Sequence, residues 1–296
     1  MRNPSPHKIV KVLLACLFWT QTQTIAPLEL NAATARSSEA SGVRHDRVRK
    51  NVRYSTQNPS CVGDIYMPSD PKGPVHPAVV IVHGGAWRSG SKEDFNAVEA
   101  SEWLANSGFI AFNINYRLTS EGGEFPNNIS DVERAVEYLG ANCKALAIDK
   151  SRIGIFGASA GGHLALMTAY APPRQKSKKL VKAVVAFCPL TDLADMPVAF
   201  VVQYLGCIVE QDGETYARAS PVSYIKNSVP TMLVHGTRDK TVPISQSIKL
   251  ARLLKQNETK VEFVKLSDED HMFSLRNSPT RIIALKDMVE FFQQNL

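Results

Sequence analysis

The chain has 296 residues, of which 44% are hydrophobic, 21% charged and 8% aromatic, so it carries enough apolar surface to fold and is not intrinsically disordered. Its 17 glycines and 17 prolines follow no period and no 20–50-residue unit recurs, which excludes collagen-like, low-complexity, solenoid and propeller chains. The formal charge is +6. Its basic clusters, at 44–53 and 174–182, lack interleaved stacking aromatics and read as solvated faces rather than a nucleic-acid surface.

Taken from the N-terminus, Arg2, Lys8 and Lys11 precede an unbroken apolar run, Val12–Trp19, which gives way to polar and then small residues, Asn31-Ala32-Ala33-Thr34-Ala35. That order predicts a secretory signal peptide over residues 1–35, cut after Ala32 or Ala35, and a secreted or periplasmic protein. The run is too short to span a bilayer. Leu13-Leu14-Ala15-Cys16 resembles a lipobox, but little apolar sequence precedes Cys16 and Leu17-Phe18-Trp19 continues the run beyond it, which argues against a lipid anchor there. Loss of residues 1–35 removes three basic groups and one acid, taking the charge from +6 to +4. Cys61, Cys143, Cys188 and Cys207 would remain, with three possible pairings in an oxidising compartment. No CxxC pair points to zinc, and no metal or organic cofactor is expected; the strand-end Cys188 reads as a core residue.

After a linker at 36–47, strands and helices alternate to residue 296. Arg49–Ser55 and Cys61–Tyr66 have no helix between them and predict an antiparallel edge. Ala78–Val82 reads as a strand buried on both faces, followed by a helix, Phe95–Asn106, with Phe95, Val98, Trp103 and Leu104 expected on its inner face. Strand Phe109–Asn115 and helix Ile129–Leu139 follow, then strand Ile153–Phe156 running through a glycine-rich turn into helix Gly162–Tyr170. Strands Val181–Phe187, Thr231–His235 and Val261–Leu266 complete the series, with helices Ile244–Lys255 and Arg281–Phe292 and a short lid-like stretch at about 190–228. Helical crossovers of this length predict an α/β fold, a mainly parallel sheet covered on both faces, with ligands beyond the C-terminal strand ends.

The chemistry-bearing motifs lie at those ends. In Gly157-Ala158-Ser159-Ala160-Gly161 a strand reverses into a helix, which forces the serine into a strained conformation and exposes its hydroxyl as a nucleophile. In His83-Gly84-Gly85-Ala86-Trp87 glycines let the backbone approach a reacting group, so the amides of Gly85, Ala86 and Ala160 are expected to form an oxyanion hole. His83 is expected to tie that loop by a hydrogen bond, while Trp87 walls the substrate pocket or packs the loop. Asp239, in His235-Gly236-Thr237-Arg238-Asp239, is the candidate acid. Of seven histidines, His271 alone occupies the place that the order Ser, Asp, His requires. Asp192, also after a strand, is a rival acid. His163, inside the helix after Ser159, reads as structural.

Together with Asp64-Ile65-Tyr66-Met67-Pro68, Asn115-Tyr116-Arg117-Leu118, Phe125-Pro126, Asp131 and Ser220-Pro221, these motifs span residues 61 to 273. The chain resembles α/β-hydrolases of the group containing bifunctional feruloyl and acetyl-xylan esterases, near the hormone-sensitive-lipase-like esterases and arylformamidases. The resemblance implies an α/β-hydrolase fold, a Ser159–Asp239–His271 triad and a carboxylesterase forming an acyl-enzyme. It suggests small-molecule or polysaccharide esters, acetyl or feruloyl, as substrates. The approach to the base, Asp268-Glu269-Asp270, is unusually acidic for the group. A prolyl-oligopeptidase-type peptidase would share the triad order but need an extra domain for which the chain has no room. An arylformamidase and a non-catalytic binding protein on the same scaffold stand as rival readings.

Overall fold

The β-branched runs form the centre of one eight-stranded sheet. Six strands run parallel: β3 (His76–Val82), β4 (Ile110–Ile114), β5 (Ile148–Ala158), β6 (Val181–Phe187), β7 (Thr231–Gly236) and β8 (Val261–Leu266). The edge strands β1 (Val48–Arg53) and β2 (Val62–Tyr66) are antiparallel, and β2 continues antiparallel onto β4, with Gly63 opposite Ile114. The order is β1-β2-β4-β3-β5-β6-β7-β8. This computed structural model describes residues 47–68, 74–173, 179–196, 198–271 and 278–296, all in one compact unit, Val43–Leu296. The expected leader, with Cys16 and both cleavage points, lies outside the described residues.

Two layers of helix cover the sheet. α1 (Phe95–Asn106) and α7 (Pro279–Asn295) pack on one face, α2 (Asn127–Ala141), α3 (Ala160–Tyr170) and α6 (Ser245–Gln256) on the other. The 190–228 stretch supplies two short helices, α4 (Ala199–Leu205) and α5 (Gly213–Arg218), and a 3₁₀ segment, Pro221–Asn227. α3 has no charged residue and is buried all round, as a helix must be when it lies between a sheet and a second layer. α2 buries Ile129, Val132, Val136 and Leu139, the face its periodicity predicts. Each such side chain contributes roughly 1.5–3 kcal/mol by burial.

The expected inner face of α1 is partly wrong. Leu104 is buried, but its companions are Ala97, Ala100, Ser101 and Ala105; Phe95, Val98 and Trp103 are only half-buried. Close helix-on-sheet packing favours small residues, which an apolar count undervalues. Ser101 is tolerated there because its hydroxyl donates to the carbonyl of Ala97 at 2.7 Å. Among the described residues the cysteines form no disulfide: Cys61 and Cys188 are buried, Cys143 and Cys207 half-buried. Cys188 is a core residue, as expected.

After β3 the chain crosses to β4 on one side of the sheet; after β5 it crosses to β6 on the other. Because β3 and β5 are neighbours, their C-terminal ends bound a crevice that no crossover fills. The candidate site occupies that crevice. Among the described residues no helix is long and apolar enough to cross a membrane.

Candidate active site

Ser159 sits at the crevice where β5 becomes α3. Its backbone is at φ 55° and ψ −122°, a strained region for a residue with a side chain. The amide of Ser159 donates to the carbonyl of Phe187 on β6 at 2.8 Å, which holds the turn against the sheet. The flanking glycine is required by contact: a Cβ on Gly161 would stand 2.2 Å from the carbonyl oxygen of Val82 and 2.3 Å from that of His83. The serine turn and the loop after β3 therefore touch backbone to backbone.

That loop is anchored at both ends. At its start His83 is buried, its ring 2.8 Å from the carbonyl of Gly84 and stacked on Tyr116 at 4.3 Å, so it ties the loop as expected. Burial lowers its pKa against the raising effect of the Gly84 carbonyl. The Tyr116 hydroxyl donates to the His83 carbonyl at 3.1 Å, and the amide of Thr119 to the Trp87 carbonyl at 2.9 Å. At its far end Lys92 donates from its amide to Asn115 Oδ1 at 2.6 Å, and from Nζ to Asp64 Oδ2 at 3.0 Å, the side chains of Lys92 and Asp64 being buried. Asp64, Asn115 and Tyr116, each from a motif singled out in the sequence, thus serve as clamps on the loop. Sequence reading missed Lys92, because nothing in its local spacing marks a lysine for burial.

Between the clamps the backbone turns through positive φ at three successive residues, Gly85 (108°), Ala86 (52°) and Trp87 (59°). Gly84, Gly85 and Ala86 face the same cavity as Ser159. Among the described residues the amides of Gly85 and Ala86 have no protein acceptor, and Ala160 opens α3, where an amide lacks an intrahelical partner. Trp87 does not line the cavity. It is fully buried, stacked on Tyr204 at 4.1 Å and edge-on to His163 at 5.1 Å, so it packs the loop onto the lid rather than touching substrate.

The acid and base loops follow β7 and β8. His271 Nδ1 lies 2.6 Å from Asp239 Oδ2 and its Nε2 lies 3.0 Å from Ser159 Oγ. A carboxylate only accepts, so Nδ1 carries the proton and Nε2 accepts from the serine hydroxyl. The amides of Thr241 and Val242 donate to Asp239 Oδ1, each at 2.9 Å. Burial raises the proton affinity of Asp239, but hydrogen bonds from His235, His271 and the Val242 amide outweigh it and hold the carboxyl far below the usual carboxylate range. Sequence reading sets His235 aside as a base because it precedes the acid, and no spacing rule gives it the contact with Asp239 seen here. The rival Asp192 is engaged elsewhere, its carboxylate 2.6 Å from Lys249 Nζ and its amide on Gln246. His163 donates to the Ala219 carbonyl at 2.7 Å and is structural, as expected.

Only one trio among the described residues, Cys188, His235 and Asp239, gathers metal-ligand atoms within 4.8 Å. His235 and Asp239 already spend those atoms on hydrogen bonds. The cavity in front of Ser159 measures about 530 Å³, with Ala97, Phe156, Ala158 and Phe200 as its apolar wall and Arg88, Asp94 and Asn96 as polar groups. The α1 residues and Phe200 come from elements whose part in the site no local motif announces.

A family model, BD-FAE, matches residues 63–254, well over half of the chain. The chain belongs to the BD-FAE family. Its residues are also 30% identical over 262 positions to the esterase LipC of Mycobacterium tuberculosis, covering 80% of this chain and 64% of that protein. The curated relatives LipC and LipM are longer: the chain spans between half and two thirds of their length. Among solved structures, a truncated carbohydrate esterase from gut microbiota superposes with a TM-score of 0.72 at 24% identity, covering 84% of this chain and 95% of that one. The thermophilic esterase Est2 of Thermogutta terrifontis gives 0.70 at 24% identity, covering 83% and 91%. These neighbours share the α/β-hydrolase fold of this BD-FAE chain.

Proposed function

We propose that this BD-FAE chain is a serine carboxylesterase. The observation that carries the reading is the continuous Asp239–His271–Ser159 hydrogen-bond relay at 2.6 and 3.0 Å beside the Gly85–Ala86 turn, whose amides have no acceptor among the described residues. His271 takes the proton of Ser159 as its oxygen attacks the ester carbonyl, and Asp239 holds the imidazole in the required tautomer. The amides of Gly85, Ala86 and Ala160 receive the oxyanion. The imidazolium protonates the departing alcohol, leaving an acyl-enzyme that water, deprotonated by His271, then cleaves. The esterase names of relatives such as LipC and LipM support the activity.

For the finer reading, the leader-like residues 1–35 support secretion, and the carbohydrate esterase among the structural neighbours supports acetyl or feruloyl groups on plant polysaccharide as substrates. A cavity of about 530 Å³ is in the range of small-molecule sites. Purified protein should hydrolyse p-nitrophenyl acetate, label with a fluorophosphonate, and release acetate or ferulate from acetylated xylan or feruloylated arabinoxylan. Ser159→Ala should lose at least about a thousandfold in kcat. Undiminished hydrolysis by that variant refutes the serine mechanism; brisk aryl-ester turnover with no acid released from either polysaccharide refutes the polysaccharide assignment alone.

A further inference from the structure

Asp239 is held from two sides. Opposite His271 stands His235, the penultimate residue of β7, fully buried, with its Nε2 2.8 Å from the carbonyl of Val242 and 3.2 Å from Asp239 Oδ2. A carbonyl oxygen only accepts, so Nε2 carries a proton; that N–H is bonded to the Val242 carbonyl, and the carboxylate oxygen of Asp239 stands beside it as the second, longer contact. The other nitrogen, Nδ1, is 2.8 Å from the hydroxyl of Ser247 on α6. In the neutral ring that hydroxyl donates to Nδ1, so the strand, the acid loop and the following helix all agree on one tautomer.

The geometry points to His235 as a positioning residue for the hydrolysis: an imidazole whose Nε2–H, held by the Val242 carbonyl, also stands against Oδ2 of Asp239, fixing its rotamer and sharing its negative charge with His271. This rests on the triad reading proposed above. Two histidine N–H groups on one carboxylate oxygen weaken each other, because the charge that His235 takes up is unavailable to the His271 imidazolium. The groups facing His235 are Asp239, the Cys188 thiol after β6, Ser247 on α6 and, through the carboxylate, His271. Asp268, Glu269 and Asp270 precede His271 on its loop, Asp268 pairing with Arg238 at 2.7 Å on the surface. Loss of His235 leaves the carboxylate charge concentrated on His271, which stabilises the imidazolium and moves the acid limb of the rate profile to higher pH.

The test compares His235→Leu, His235→Gln and Ser247→Ala with the wild type on p-nitrophenyl acetate, per mole of folded protein by circular dichroism, with Ser159→Ala run alongside. A hydrogen bond to a charged group corresponds to a factor of about 10 to 100. His235→Leu should lose about that much kcat with KM within about twofold, and its acid limb in kcat/KM should rise by roughly 0.5 pH unit or more. His235→Gln, whose amide nitrogen reaches the Nε2 position, should recover most of the rate and return the limb. Ser247→Ala, which frees the ring to change tautomer, should move the limb the same way by less, and it carries the test alone if His235→Leu does not fold. An acid limb unmoved in whichever of these two variants folds overturns the proposal, as does a glutamine variant no better than leucine. Those results with Ser159→Ala inactive leave the triad reading intact; hydrolysis by Ser159→Ala defeats the triad reading itself.

Discussion

The amide of Arg238 donates to the carbonyl of Glu269 at 2.9 Å, so the loop that carries the acid is bonded directly to the loop that carries the base. Two further bonds join them, from the amide of Thr237 to the Leu266 carbonyl and from the amide of Asp268 to the Thr237 hydroxyl, both 2.9 Å. The distance between Asp239 and His271 is thus set by backbone contacts one strand deep, with no dependence on the lid.

That contact leaves no room for a side chain at Gly236, where a Cβ would stand 2.3 Å from the Glu269 carbonyl oxygen. Gly236→Ala should push the His271 loop outward. A displacement near 1 Å costs about a hundredfold in rate, while overpacking costs only about 1–3 kcal/mol of stability. Steady-state kinetics beside a thermal melt tests this: a variant that keeps wild-type kcat means the loop relaxes without moving His271.

Trp87 distinguishes loop packing from substrate contact. Trp87→Phe keeps a ring between Tyr204 and His163 and loses an indole N–H that has no partner among the described residues, so KM for aryl esters should stay within about twofold and stability within about 1 kcal/mol. Trp87→Ala should lose about 3–5 kcal/mol and, with it, the geometry of the oxyanion turn. A large KM change in the phenylalanine variant would place the indole against substrate after all.

Lys92 and Asp64 form a pair whose side chains are only 3% and 2% exposed. Lys92→Met strands a buried carboxylate and should cost about 3–5 kcal/mol, lowering the melting temperature and loosening the oxyanion loop. Adding Asp64→Asn removes the stranded charge, and the double variant should melt above Lys92→Met alone. Strict additivity of the two losses, by chemical denaturation, would mean that the residues do not couple.

His163 makes the stability depend on pH. Burial lowers its pKa, against the raising effect of the Ala219 carbonyl, to about 4, whereas an unfolded histidine titrates near about 6.5. Between those values the unfolded chain binds a proton that the native chain refuses. The stabilisation from the neutral ring is complete above pH ~6.5, and is lost progressively as pH falls to about 4, by at most about 3 kcal/mol. Urea unfolding from about pH 7 to about pH 4 should show this decline, and His163→Gln should flatten it. An equal slope in the variant assigns the decline to other groups.

The strand and helix order, the antiparallel edge and the β5–Ser159–α3 turn were legible from residues alone, because they rest on local signals: β-branched runs, helical periodicity and glycines spaced around one serine. The order of Ser159, Asp239 and His271 along the chain could be read in the same way. What no local pattern carried was the identity of neighbours. The pairing of Lys92 with Asp64, the engagement of Asp192 by Lys249 and the stacking of Trp87 beneath the lid join residues on different elements. Hydrogen bonds and van der Waals contacts act over a few ångströms in space, whatever the distance along the chain, so only the folded sheet could decide which polar groups meet. The inner face of α1 fell between the two: its period was visible, but which side touched the sheet depended on how closely small residues let the helix approach.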